Sequence, residues 1–230
     1  MTLKEPSFIP VADHALLVQV ADAISDAATA RVHQFDKAIQ DQPPTGVLET
    51  IPAFVNLLVE FDPLLSDHDT LANALRDLWH EPAQAQDKGR LHEVSVCYDG
   101  DLAPDIASVA KAVGMSPEAV INMHLSGRYK VGMYGFAPGY AYLSGVPEPL
   151  QLPRKPAATR DIPAGSVLIA GPQCLVTTLT MPTGWSIIGR SPTQILRDDP
   201  VRPFLFDVGD NVQFVRMSHE AFHAQDKGTT

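Results

Sequence analysis

The chain has 230 residues, room for one large domain or two small ones, because domains commonly run about 100 to 150 residues. Its 45% hydrophobic and 19% charged residues supply a core and exclude extensive disorder away from the ends. Twenty-seven acids against 17 bases give a net charge of −10, which repels a phosphate backbone, so no nucleic-acid partner is expected.

No run approaches the roughly 18 to 20 apolar residues that cross a bilayer, and Met1 to Pro10 lack a basic start followed by an apolar stretch. No membrane partner and a cytoplasmic location are therefore expected. Cys97 and Cys174 are the only cysteines, too few for a secreted disulfide framework.

In chain order, Ala15 to Val20 reads as a buried strand. Ser25 opens a helix to about Gln40, with Ala28, Val32, Phe35 and Ile39 at helical spacing. Pro43-Pro44-Thr45-Gly46 is a turn, and Val47 to Ile51 and Phe54 to Phe61 read as strands joined at Pro52-Ala53. Ser66 or Asp67 caps a second helix carrying Leu71, Leu75 and Leu78, and the polar stretch Glu81 to Gly89 leads to a strand from Leu91 to Tyr98. The order βαββαβ predicts an α+β, ferredoxin-like domain over residues 1–98, with both helices on one face of an antiparallel sheet.

Helices from Pro104 to Val113 and from Pro117 to Ser126 form a connection over 99–127, each with proline at or near the first turn. From 128 to 224 the pattern turns to short strands: Tyr129 to Phe136, Ser166 to Ala170, Gln173 to Thr180, Trp185 to Gly189 and Asn211 to Arg216. Seven of the 20 prolines fall between Pro138 and Pro172, where they forbid long helices. Such punctuation predicts a closed or nearly closed β-barrel. The tail 225–230 is polar and expected to fray.

One run is far from generic: Gly135-Phe136-Ala137-Pro138-Gly139-Tyr140-Ala141-Tyr142-Leu143, followed by Pro153-Arg154, Arg160 and Ile162-Pro163-Ala164-Gly165-Ser166-Val167. With Ile169-Ala170-Gly171, Gly184-Trp185 and Ile188-Gly189-Arg190-Ser191-Pro192, it resembles the family of the 5-oxoprolinase B subunit, the kinase inhibitor KipI and allophanate hydrolase subunit 1. Asp13 to Val18 and Ile51-Pro52-Ala53 fit the opening region of the same family.

The resemblance implies a cyclophilin-like β-barrel after the N-terminal domain. It also implies a partner of related barrel architecture, a C-type or type-2 subunit, with an A-type subunit in 5-oxoprolinase. The activity implied is that of one component of a multi-subunit, ATP-dependent amide or lactam hydrolase opening 5-oxoproline to glutamate. The same resemblance leaves open a component of allophanate hydrolase or one associated with urea carboxylase, and a KipI-type inhibitor of histidine kinase autophosphorylation. A prolyl isomerase is disfavoured, since the resemblance is to the cyclophilin fold rather than to the sequences of active isomerases.

Within the run, Gly135, Pro138 and Gly139 form either a turn that brings backbone to a ligand or a tight barrel corner. Phe136, Tyr140, Tyr142 and Trp185 are pocket wall or core. Arg154, Arg160 and Arg190 are each a guanidinium fork suited to carboxylate or phosphate oxygens, and as a set they predict an anion site. Gln173 can donate and accept at once, as recognition of an amide requires.

His124, at the end of a predicted helix, is either a helix C-cap or an acid/base. Cys174 reads as a buried, inert thiol unless Arg190 stands beside it to stabilise a thiolate. No metal site is expected. No Gly-x-Ser-x-Gly elbow and no Gly-x-x-x-x-Gly-Lys-Ser phosphate loop occurs, so ATP with magnesium is expected at the level of the assembled complex. After Ile169-Ala170-Gly171 the family commonly continues Gln-Thr-Gly-Ile-Tyr-Pro, whereas this chain has Gln173 to Thr178 without the Gly, Tyr and Pro, a departure that bears on the substrate.

Overall fold

The computed structural model describes residues 5–81 and 89–226. The chain divides at Lys88/Gly89 into two compact units. The polar stretch at 82–88 and the last four residues of the expected frayed tail lie outside the described residues.

The first unit contains β1 (Ser7–Val11), β2 (Ala15–Gln19), α1 (Asp26–Asp41), β3 (Val47–Pro52), β4 (Asn56–Phe61) and α2 (His68–His80). Ser25 caps α1 by accepting from the amide of Ala28, and Asp67 rather than Ser66 caps α2 by accepting from Thr70 at 2.8 Å. Leu16 and Val18 of β2 and Leu57, Val59 and Phe61 of β4 form one core with Val32, Phe35 and Ile39 of α1 and Leu71, Leu75 and Trp79 of α2. The helices therefore share one face of the sheet, as the periodicity predicts.

The sheet order is β1-β2-β4-β3, antiparallel throughout. The split βαβ of β2, α1 and β3 around β4 is present, but the expected ferredoxin-like domain over 1–98 is not completed in the expected way. β1 occupies the edge position expected for the strand at 91–98, because Ala12, with φ 51°, and the turn at 12–14 fold Ser7–Val11 back on β2. The strand read at 91–98 belongs to the second unit, where Val94 and Val96 are buried.

The second unit contains β5 (Leu91–Val96), α3 (Ile106–Val113), α4 (Pro117–Ser126), β6 (Tyr129–Tyr134), β7 (Ala141–Ser144), β8 (Thr159–Ile162), β9 (Ser166–Ala170), β10 (Gln173–Val176), β11 (Met181–Thr183), β12 (Ser186–Arg190), β13 (Asn211–Arg216) and α5 (His219–Asp226). Seven strands form a sheet in the order β12-β9-β10-β7-β6-β13-β5, with β5 parallel to β13. The two end strands meet just past β5. The amide of Cys97 donates to the carbonyl of Arg190 at 2.8 Å, and the amide of Arg190 donates back at 2.9 Å. The sheet is thereby nearly closed into a barrel, which removes its exposed edges. Gly189 permits the closure, since a Cβ there would stand 2.6 Å from Val96 Cγ1.

Alternation along the strands separates two apolar layers. Val167 and Ile169 of β9 and Cys174 and Val176 of β10 join α3 and α4 in the large core, whereas Leu168, Ala170 and Leu175 face the other way. The second layer, with Tyr140, Trp185 and Ile187, carries the candidate site.

Candidate functional site

The loop between β6 and β7 is Gly135 to Tyr140, and it ties itself together. The Gly135 amide donates to the Tyr140 carbonyl at 3.2 Å and the Tyr140 amide donates to the Ala137 carbonyl at 3.1 Å. Thr178 Oγ1 donates to the Pro138 carbonyl at 2.6 Å, holding the loop from outside. Gly139 has φ 75°, and a Cβ there would lie 2.9 Å from Thr178 Cγ2, so both conformation and space call for glycine. Phe136 also has positive φ, 71°, yet it is 72% exposed. A strained, exposed aromatic marks a functional position more readily than a packing one.

This loop walls a cleft of about 150 Å³ on the outer side of the barrel sheet. Leu168 of β9 and Leu175 of β10 line it together with Phe136, Tyr140, Tyr142, Trp185 and Arg154, and Pro182, Thr183 and Gly184 of the β11 segment complete it. Tyr142 and Trp185 meet edge to face with ring centroids 5.9 Å apart, and the Arg154 guanidinium carbon stands 5.8 Å from the Trp185 ring. The backbone around Arg154 is fixed: the Lys155 amide donates to the Gly184 carbonyl, and Lys155 Nζ lies 2.7 Å from Asp105 Oδ2, which also accepts from the Ile187 amide at 2.8 Å. Burial raises the pKa of Tyr140 and Tyr142; for Tyr142 the charge of Arg154 opposes that rise. Both phenols therefore stay protonated near neutrality and can donate hydrogen bonds.

The structure gathers Phe136, Tyr140 and Arg154 of the expected site and leaves others elsewhere. Gly135, Pro138 and Gly139 shape the loop without lining the cleft. Gln173 is the half-buried first residue of β10, paired with Ser144 and Ala170. Arg160 is exposed on β8 and does not line the cleft. Arg190 donates from Nε to the Ala164 carbonyl at 3.2 Å, and its guanidinium stands 5.5 Å from the Phe222 ring, at the barrel seam. The length of β12 separates it from Trp185, about 16 Å at the rise of an extended strand. The expected three-arginine anion site thus reduces to Arg154 in this cleft.

His124 is fully buried in the large core, and the helix-capping expectation is corrected. Its Nδ1 lies 2.8 Å from Tyr98 Oη, its Nε2 3.7 Å from Cys174 Sγ, and Phe214 packs on its ring at 4.7 Å. At the end of α4 it is the His124 carbonyl, not the ring, that caps, accepting from the Gly127 amide. Burial lowers the His124 pKa to about 3 and raises that of Cys174, so both are neutral. Cys174 is therefore the inert thiol of the first expectation.

One pairing escapes local reading, and one local signal runs against an earlier expectation. His92 Nε2 and Asp210 Oδ2 stand 2.7 Å apart although 118 positions separate them in sequence. The carboxylate also accepts from the amides of Arg90 and Asp207, which identifies it as the tie between the starts of β5 and β13. The second lies in α5, where His219-Glu220-Ala221-Phe222-His223 has the His-Glu-x-x-His spacing of metal-binding helices, a signal present in the sequence and at odds with the expectation of no metal-ligand spacing.

The family model described as carboxyltransferase domain, subdomain C and D matches residues 6–206. The chain belongs to this family. The 5-oxoprolinase B subunit of Bacillus subtilis (strain 168) is 36% identical over 223 residues, which span 92% of this chain and 93% of the relative. Among solved structures, TTHA0988 superposes with a TM-score of 0.78 at 32% identity, over 89% of this chain and 40% of that one. The Kluyveromyces lactis urea amidolyase shares the fold, with a TM-score of 0.77 at 16% identity, over 95% of this chain and 15% of its own. The chain thus spans about two fifths of TTHA0988 and a smaller part of the amidolyase. The family resemblance carried by the Gly135 to Leu143 run is borne out, and no helix among the described residues is long and apolar enough to cross a membrane.

Proposed function

We propose that this chain is the B subunit of an ATP-dependent 5-oxoprolinase, opening the lactam of 5-oxoproline to glutamate together with a C-type barrel partner and an A-type subunit. The observation that carries this reading is Arg154 beside an aromatic cleft open on the outer side of the barrel. 5-Oxoproline is a flat ring bearing one carboxylate. The guanidinium offers paired N–H groups to the carboxylate, the edges of Tyr142 and Trp185 bound the ring, and Leu168 and Leu175 exclude water beneath it.

The phenols of Tyr140 and Tyr142, held protonated by burial, can donate to a lactam oxygen as it gains negative charge. The role is positioning and electrostatic stabilisation within a shared site. ATP with magnesium supplies the driving force for ring opening. The cleft does not suit it: a triphosphate needs several cations or a cradle of amides, and Arg154 is the only basic residue among the lining. On this proposed reading the nucleotide is accordingly assigned to the partner subunits.

Reconstitution with the neighbouring subunits, ATP and magnesium tests this reading. Glutamate release from 5-oxoproline that falls on Arg154→Ala supports it; no turnover by the full set with 5-oxoproline overturns it. Turnover of allophanate instead would move the same cleft to the allophanate branch. The KipI-type reading is favoured by one observation, the outward-standing Phe136, which suits a protein partner. Inhibition of a histidine kinase that is lost on Phe136→Ala would support it.

A further inference from the structure

In α5, His219 and His223 stand one turn apart and face each other, with Nε2 to Nε2 at 3.1 Å and ring centroids at 4.3 Å. Two nitrogens held about 2.1 Å from one metal ion stand about 3.0 to 3.4 Å apart at octahedral or tetrahedral angles. The pair is thus already spaced as a bidentate chelate. Across from it, on the short turn Gly100–Leu102, Asp101 Oδ1 lies 4.0 Å from His219 Nε2, and its side chain is exposed. Among the described residues no three such groups converge on one point, so only the two-histidine part is preformed.

The orientation of α5 is fixed from beneath. Phe222, buried against Cys97 and Leu102, anchors the helix on the segment that closes the barrel, and the Arg190 guanidinium lies near its ring. We propose that His219 and His223, joined by Asp101, form a surface site for a divalent transition-metal ion of the zinc, nickel or copper class. The ion fastens α5 to the turn after β5, across the seam where Cys97 pairs with Arg190. Imidazole nitrogens select these metals, whereas magnesium and calcium prefer all-oxygen sets.

The test uses the untagged full-length chain, stripped with a chelator and titrated calorimetrically with nickel, zinc or magnesium chloride. One nickel or zinc ion should bind per chain, with magnesium silent. His223→Gln should weaken binding by roughly tenfold or more, and Asp101→Asn by less. His219→Gln provides the same reading should His223→Gln fail to fold. Hydrogen exchange of the α5 amides should slow with zinc in the wild type and not in the histidine variants. No saturable binding, binding unchanged in the variants, or exchange of α5 that ignores bound zinc would each overturn the proposal.

Discussion

Tyr98 holds the imidazole of His124 inside the barrel, its phenol oxygen 2.8 Å from Nδ1 where no solvent reaches. Burial raises the tyrosine pKa and lowers that of the histidine, so both are neutral and share one hydrogen bond, while Nε2 faces the sulfur of Cys174. Tyr98→Phe keeps the shape and strips Nδ1 of its partner. Denaturant unfolding should show a loss of about 1–3 kcal/mol, the cost of an unsatisfied buried polar atom.

The same histidine makes stability pH-dependent. Unfolded, it protonates near 6.5; folded, it stays neutral down to about 3. The unfolded state therefore binds more protons between these values, and stability falls as pH drops through that window, by up to about 1.4 kcal/mol per unit. Asp210 adds to the fall at lower pH: burial opposes its charge, but donation from the amides of Asp207 and Arg90 and from His92 prevails, and its pKa is lowered. Urea midpoints at pH 7 and pH 5 should differ in the wild type and converge in His124→Gln. An equal drop in both proteins would assign the effect to other groups.

Gly139 should be intolerant of a side chain. Its φ of 75° costs an L-residue roughly 1–2 kcal/mol, and the contact with Thr178 Cγ2 would push Thr178 off the Pro138 carbonyl. Gly139→Ala is expected to lower the melting temperature modestly and, on the 5-oxoprolinase reading proposed above, to raise KM for 5-oxoproline, because Phe136 and Tyr140 ride on this loop.

Much of this was legible from periodicity and punctuation. The cores of α1 and α2 follow from their 3.6-residue spacing, and β9 and β13 match their expected bounds, β9 between Gly165 and Gly171 and β13 after Gly209-Asp210. β7, β8 and β11 have only three or four residues, and Pro10 and Pro182 interrupt β1 and β11, so neither period nor length announces these strands. The destination of Leu91–Val96 was hidden for another reason: its parallel partner β13 lies more than a hundred residues on, and nothing local tells one sheet from another. The arginines show the same limit. Arg154 and Arg190 are alike in sequence, each beside proline or glycine, and only the run of β12 separates the cleft from the seam.

The cleft depends on a contact outside it. Asp105, at the start of α3, accepts from Lys155 Nζ at 2.7 Å and from the Ile187 amide at 2.8 Å, joining the residue after Arg154 to β12 just beyond Trp185. Both side chains of the pair are only about a fifth exposed, 22% for the lysine and 21% for the aspartate, so solvent competes weakly for them. Asp105→Ala takes the carboxylate from a half-buried ammonium, which keeps Thr159 Oγ1 at 2.8 Å, and leaves the Ile187 N–H without its acceptor, and thermal unfolding should report a loss of about 1–3 kcal/mol. Asp105 does not line the cleft, so on the 5-oxoprolinase reading proposed above it acts on catalysis through the placement of Arg154. In the reconstituted enzyme the variant should raise KM for 5-oxoproline with kcat changed less, and Asp105→Asn, which keeps an oxygen for the Ile187 amide, should recover part of the stability and less of the KM. A variant that lowered kcat alone would place Asp105 in the chemistry rather than beneath it.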